Sequence, residues 1–486
     1  MKRLLIISDT VKRKTGYSTV ARNIIKNLLE TNNYQIAQLG LGDVPVALDL
    51  KIDYYSPLKD HSHCCGKGVV IEHKSTEKPE LEYITFHDKV HLHSNQKPCF
   101  KAPNDGSDQY AYTSIVFVIQ HFKPDIVVPI NDIWALYNIA HLVNRECFKF
   151  VPYLAIDSDC LFPHIENPAH RPGLPSINST AVLGSADKIV VFTEWAKNVI
   201  NKTVMKVTKG KQLNNIIVIP HGVDISEWKP LSNKQELRKK YFNIDDSVFL
   251  IGSIARNQPR KRLDAIFPIM RKFIDQYEKP NKKIMCYFHC CLTDKMGWDL
   301  LWLARWYNLE DRCIFDPNLK PGSGPTVDDF NEMINCFDVH LSLTNSEGWM
   351  LPALETAAAG IPNVITKYSA HADWGKDTFL FVKIAAYFHD AVTNFIKAIA
   401  DNDHAASQIK LLYDSPKMHR DYSNRGIKLA EKLQWKNICA QWVKLFDSID
   451  VSDLKPDRYD TIPIELDSKH SPMAIKFLPN DIEDVK

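Results

Sequence analysis

The stretch "VHLSLTNSEGWMLPALETAAAGIP", Val339 to Pro362, reads as a strand, a short loop and a helix. "VHLSLT" is apolar and β-rich, and Pro352 suits the first helical position, where its missing N–H is not needed. Gly360, just before Pro362, stops the helix. A turn from strand into helix usually binds anions, because helix N-termini carry partial positive charge. Yet this one holds two carboxylates separated by seven residues, Glu347 in the loop and Glu355 in the expected first helical turn. At Glu355 a carboxylate gains roughly 0.3–1 kcal/mol from the helix dipole. Glu347, in the loop, has a weaker account of that kind. Carboxylates repel phosphate but accept hydrogen bonds from neutral hydroxyls. A ligand that is part diphosphate and part sugar would need both carboxylates and cations.

The same alternation runs along the whole chain. Strands are expected at "RLLIIS", "YQIAQLG", "DIVVPI", "FVPYLAI", "KIVVFT" and "NIIVIP", with helices between them. One such helix is Thr19 to Leu29, where Val20, Ile24 and Leu28 form an apolar stripe. After Trp228 and Pro230 a charged segment, "LSNKQELRKKYFNIDD", intervenes. A second series follows: "VFLIGSIA", "KIMCYFHCC", "RCIFD", "VHLSLT" and "NVIT". Strands alternating with helices imply parallel sheets covered on both faces, and two series imply two Rossmann-like α/β domains. The expected division is residues 1–225, 245–430, a helix within 431–450 and a polar tail over 451–486. Trp435, Ile438, Trp442 and Leu445 give that helix its packed face. Residues 44–109, rich in His, Lys and Pro, interrupt the first series as an elaborated loop with a short hairpin or two.

Two domains suit 486 residues, and 45% hydrophobic residues can form sizeable cores. The net charge of +2, from 60 basic and 58 acidic residues, gives no support for nucleic acid or a charged membrane as partner. "MKRLLIISDT" is too short in apolar residues for a secretion signal, and no segment approaches a membrane span, so a cytoplasmic protein is expected. The odd count of 11 cysteines fits reduced thiols. "HCC" occurs twice, at His63–Cys65 and His289–Cys291, without C-x-x-C spacing, and no metal is expected.

Two further loops carry candidate chemistry. In "SDTVKRKTGYST", Gly16 permits close approach to a phosphate, and Ser18 or Thr19 is expected to cap the following helix. The loop has neither G-x-G-x-x-G nor the G-K-[ST] ending of a phosphate loop. In "GSIARNQPRKRLDA", Arg256 and Lys261 lie five apart and are suited to a diphosphate. Arg260 and Arg262 make a solvated basic loop the plainer reading of that segment alone.

Together these segments resemble the retaining, GT-B-fold glycosyltransferases of the large group 1 (GT4-like) family. Glu347 and Glu355 match its E-x7-E motif, Arg256 and Lys261 its paired basic residues, and "VIPHGVDISEWKP" its interdomain segment. "GYSTVARNIIKNLL" resembles its first loop and helix, and "ADKIVVFTEWAKNVI" its last N-domain unit. The matches run in family order from residue 1 to about residue 450.

The resemblance implies two Rossmann-like domains across a cleft, with a C-terminal helix crossing back to the first. It implies transfer of a sugar from a nucleotide diphosphate sugar to an acceptor hydroxyl, with retention and no cofactor. Glu355 would hold ribose hydroxyls, and Glu347 the donor sugar. Arg256 and Lys261 would bind the diphosphate, and Gly16, Gly348, Trp349, Met350 and Leu351 would line the donor. Asp157, and Asp132 with Asn131, lie at strand ends facing the cleft, where such enzymes carry donor or acceptor contacts. His221 would be an interdomain turn residue. Met350 stands where the family often keeps glycine, and residues 44–109 have no family counterpart. The competing readings are a non-catalytic nucleotide-sugar-binding protein and an epimerase or phosphorylase on a related scaffold. For a phosphorylase no pyridoxal-phosphate lysine can be placed, and a binding module need not keep Glu347, Glu355, Arg256 and Lys261 together. Base, sugar, acceptor and oligomeric state are not written in these motifs.

Overall fold

The structure, a computed structural model, describes residues 1–11, 15–41, 50, 52–59, 68–74, 82–87, 114–140, 145–159, 179–208, 210–320, 324–390, 395–455 and 482–484. The first domain holds β1 (Lys2–Asp9), β2 (Tyr34–Leu41), β3 (Asp53–Lys59), β4 (Gly68–Lys74), β5 (Glu82–His87), β6 (Ile126–Asp132), β7 (Lys149–Phe150), β8 (Tyr153–Ala155) and β9 (Ile189–Val191). β10 (Lys211–Leu213) stands apart, and β11 (Ile216–Val218) closes the sheet. Its order is β5-β4-β3-β2-β1-β6-β8-β9-β11, with β7 beside β6. Pairing is parallel except at β3–β4 and β4–β5. The second domain holds β12 (Val248–Ile254), β13 (Lys283–His289), β14 (Cys313–Phe315), β15 (Val339–Ser342), β16 (Asn363–Thr366) and β17 (Leu380–Val382). These are all parallel, in the order β14-β13-β12-β15-β16-β17.

The burial pattern explains both sheets. Leu4 and Ile6 of β1 enter one core and Leu5 and Ile7 another, so the strand is covered on both faces. In β12, Val248 and Leu250 oppose Phe249 and Ile251 in the same way. One core is continuous through both domains. It joins Leu4, Ile24 and Val190 to Trp228, Leu250 and Phe337, through Trp349, Trp435 and Trp442.

Helix Trp435–Ser448 follows the second domain and returns to the first, as the motif resemblance implies. Tyr34 donates to Asp447 at 2.8 Å, and Lys2 Nζ donates to the Phe446 and Ile449 carbonyls at 2.6 and 2.7 Å. Trp442 packs edge-on to Tyr153, with centroids 4.9 Å apart.

Strand order locates the cleft. In an open parallel sheet the order reverses beside the first strand, and the loops leaving the two diverging strands open a crevice. Here those pairs are β1 with β6 and β12 with β15. The loops after β1, β6, β12 and β15 carry the motifs singled out in the sequence.

Several expectations need correction. The first helix is Gly16–Glu30, and its cap is Thr15, whose hydroxyl accepts from the Ser18 N–H at 3.2 Å. Ser18 instead donates to the Thr10 carbonyl, so neither Ser18 nor Thr19 caps. "FVPYLAI" is two strands broken at Val151–Pro152, where proline offers no N–H. The described parts of 44–109 are strands that prolong the main sheet, with β4 and β5 as an antiparallel hairpin. The tail is anchored at both described pieces. Lys455 N–H donates to the Glu146 carbonyl at 3.0 Å, and β20 (Ile482–Asp484) pairs antiparallel with β10. Among the described residues no helix is long and apolar enough to cross a membrane, and no group of three or more His, Cys, Asp or Glu is placed to hold a metal. The first "HCC" lies outside the described residues.

Trp442 is fully buried where the crossover helix meets β8. Trp442→Ala is expected to cost about 3–5 kcal/mol by cavity formation, read as a lowered midpoint of chemical unfolding.

Candidate functional site

The loops after β12 and β15 lock together at the switch point of the second sheet. Asn345 N–H donates to the Arg260 carbonyl at 2.8 Å, and Arg260 Nη1 donates back to the Ser346 carbonyl at 3.1 Å. This places Glu347, 6% exposed, between two cations. Its Oε2 lies 3.0 Å from Arg260 Nη1, and its Oε1 pairs with Lys261 Nζ. Thr344 adds a hydroxyl donor to Oε1 at 2.9 Å. Burial alone would raise the Glu347 carboxyl, but the Arg260 and Lys261 charges outweigh it and hold it well below the usual carboxylate range. The Glu347 charge raises Arg260, whereas burial and the neighbouring Arg260 lower Lys261.

Arg256 is elsewhere. Its side chain is 59% exposed, and its Nε donates to Asp294 at 2.6 Å. The cation that joins Lys261 at Glu347 is therefore Arg260, which the sequence showed only as one more basic residue of the loop.

Opposite, at the switch point of the first sheet, Tyr17 donates to Asp132 Oδ1 at 3.1 Å. Burial and the Asp157 charge push Asp132 up to about 6, against the Tyr17 hydrogen bond and the charges of Arg260 and Lys397. Asp157 also acts electrostatically on Arg260 and Lys261, so these groups from both domains share one field. Asn131 is buried beside Asp132 and accepts from its N–H at 2.8 Å.

The loop from Gly348 to Leu351 closes the space between the domains. A Cβ on Gly348 would lie 3.4 Å from Ala155 Cβ, and one on Gly16 would lie 3.7 Å from Leu351 Cδ1. Helices Gly16–Glu30 and Leu351–Ala358 thus present their N-termini to each other across the cleft. The backbone N–H groups of Gly348, Trp349, Met350 and Leu351 have no hydrogen-bond acceptor among the described residues. Two positive helix ends and unspent donors beside Arg260 and Lys261 suit an anion.

Met350 caps the second of these helices at φ 80°, ψ 75°. A left-handed non-glycine residue carries strain of roughly 1–2 kcal/mol, and glycine would adopt this conformation freely. The side chain compensates by packing with Ala353, Ala357, Ile365 and Phe379. Trp349 stacks on Trp374 at 4.5 Å and meets His221 at 5.3 Å. His221 is bonded to the Tyr153 hydroxyl at 2.8 Å, and burial lowers it to about 3, so it stays neutral between the domains.

Pro352 is the second residue of helix Leu351–Ala358, which places Glu355 in its second turn rather than the first. The Glu355 carboxylate has no hydrogen-bond partner among the described residues. Burial, then the charge of Glu227, pushes it up to about 7. The dipole account of Glu355 therefore fails, and a half-buried acceptor is left open.

The fold is shared with solved GT-B glycosyltransferases at low sequence identity. Sucrose-phosphate synthase from Thermosynechococcus elongatus matches at 14% identity and TM-score 0.62, covering 92% of this chain and 98% of that one. HepE from Anabaena, in complex with UDP-glucose, matches at 11% and 0.60, covering 92% and 100%. WaaG, a glycosyltransferase involved in lipopolysaccharide biosynthesis, gives the same values. The sequence matches no protein-family model and no curated protein. The chain thus has the GT-B architecture of two Rossmann-like domains facing across a cleft.

Met350→Gly should relieve backbone strain yet lose buried packing, for a net destabilisation of about 1–3 kcal/mol in chemical unfolding. Glu355 gives a pH signature. Its folded value lies above that of the unfolded chain, so the folded state loses stability as pH rises from about 4.3 towards 7. Glu355→Gln should remove that loss, making the variant more stable than wild type at pH 8 by about 1–3 kcal/mol but not at pH 4.

Proposed function

We propose that this protein is a retaining glycosyltransferase that moves a hexose from a nucleotide diphosphate sugar to an acceptor hydroxyl. The observation that carries the reading is the convergence, at two facing switch points, of Arg260, Lys261 and two helix N-termini with the carboxylates Glu347, Asp132 and Asp157. Cations and N–H groups meet the diphosphate, and carboxylates meet hydroxyls. HepE, of the same architecture, is described in complex with UDP-glucose, which supports a nucleotide-sugar donor here.

Without ligand, Arg260 and Lys261 share Glu347. A bound diphosphate competes for both cations and frees Glu347 to accept from the donor sugar. When the sugar–phosphate bond breaks, negative charge grows on the leaving diphosphate, where Arg260, Lys261 and the N–H groups of residues 348–351 stabilise it. The positive charge comes from the chain itself, so the proposal needs no metal. Glu355, at the second turn of its helix, accepts from the ribose hydroxyls. Retention follows a front-face route, in which the departing diphosphate takes the proton of the incoming acceptor hydroxyl. The motif resemblance supports that stereochemistry. Arg256 would contribute to the diphosphate only by leaving its pair with Asp294.

Nucleotide release from a panel of UDP-, ADP- and GDP-sugars tests the reading. Arg260→Ala and Lys261→Ala should each lower turnover at least about tenfold, or roughly 1.4 kcal/mol of transition-state stabilisation, and Arg256→Ala should lower it less. Absence of binding and turnover with every donor would refute transfer, and full activity in both variants would displace the site.

A further inference from the structure

The second domain carries an antiparallel hairpin, β18 (Ile384–His389) with β19 (Ile396–Ala400), that belongs to neither main sheet. Its second strand is clamped on both sides. The Ile396 carbonyl accepts from Ser158 of the first domain at 2.9 Å and from Tyr368 at 2.7 Å. Ala398 exchanges two bonds with Asn345: its N–H donates to the Asn345 carbonyl at 3.1 Å, and its carbonyl accepts from Nδ2 at 2.6 Å. Between these anchors sits Lys397, only 6% exposed. It has no hydrogen-bond or ion-pair partner among the described residues. Its charge instead acts across the cleft on Asp132.

The stem of this side chain is buried while its ammonium is left in no ion pair among the described residues, and packing of the stem alone does not explain why the backbone on either side is pinned. The carboxylate on which its charge acts is held by Tyr17 and lies in the field of Asp157. The charges of Asp132 and Asp157 oppose a further anion placed beside them. An uncharged ligand with adjacent hydroxyls fits instead, because one hydroxyl can accept from the ammonium while the next donates to the carboxylate.

We propose that Lys397 and Asp132 form the sugar-reading side of the cleft, binding neighbouring hydroxyls of an uncharged hexose on the donor. This rests on the transferase reading and adds to it a residue and a substrate class: neutral hexoses are taken, and uronates, whose carboxylate would meet Asp132 and Asp157, are rejected.

Calorimetric titration with UDP, ADP and GDP, with their glucose esters and with UDP-glucuronate tests both levels. Wild type should bind a neutral nucleotide sugar at least about tenfold more tightly than the corresponding uronate. Lys397→Met should lose at least about tenfold in nucleotide-sugar affinity beyond any change in nucleotide affinity. The pH profile separates binding from mere packing. Asp132 is faced by Tyr17, Asp157, Arg260 and Lys397, and removing the last of these cations should move the acid limb of nucleotide-sugar binding to higher pH. Lys397→Arg should keep the limb in place, and thermal unfolding of both variants reports on their folding. Preference for the uronate, or equal sugar dependence in wild type and a folded Lys397→Met, would overturn the proposal while leaving transfer intact. Failure of wild type to bind any nucleotide or nucleotide sugar would overturn both.

Discussion

The buried carboxylate of Glu347, held between Arg260 and Lys261, is the constraint around which the cleft is arranged. Taking this carboxylate out of water is tolerated only where cations compensate it with good geometry. Here the compensation overshoots. One carboxylate against two cations leaves one positive charge, and the adjoining helix N-terminus adds to it. The loops that hold these groups are fixed by backbone bonds, such as Asn345 to Arg260 and Glu347 N–H to the Ser369 hydroxyl at 2.9 Å. The excess positive potential is therefore built into the second domain before any ligand arrives. In the proposed reading an anion completes the cluster, and the carboxylate it releases becomes an acceptor beside it.

Most of the fold was legible because its strands are short apolar runs between helical periods, and burial on both faces makes such runs unmistakable in β1, β12 and β15. Side-chain direction was not legible. Arg256 and Arg260 are both basic residues of one Pro-containing loop, and the motif resemblance favoured Arg256. The short helical turn at Pro259–Lys261 instead sends Arg260 and Lys261 to Glu347, while Arg256 turns to Asp294. Glu355 falls one residue past the expected first turn because the helix opens with Leu351, not with Pro352. Met350 stood out in the sequence as a residue in a glycine's place, and its left-handed backbone supplies the physical meaning. Lys397 gave no signal. It lies in a short hairpin whose partner strand is largely solvent-facing, and only the folded pairing carries it to the cleft.

The two sides of the interdomain contact differ in kind. On one side a continuous apolar core runs from β1 through Trp349, Trp435 and Trp442 to β12, and apolar burial at roughly 25 cal/mol per Å² makes separation there costly. On the cleft side the described hydrogen bonds between domains are few and polar: Ser158 to Ile396, and Trp195 N–H to Asp373 at 2.9 Å. Such bonds exchange with water at a net cost of only about 0.5–1.5 kcal/mol each. Separation on the cleft side therefore costs less than separation at the apolar core. Gly348 beside Ala155 and Leu351 beside Gly16 are the close approaches across the cleft. In the proposed reading, entry of a ligand and exclusion of water would draw on this one asymmetry in how the two domains adhere.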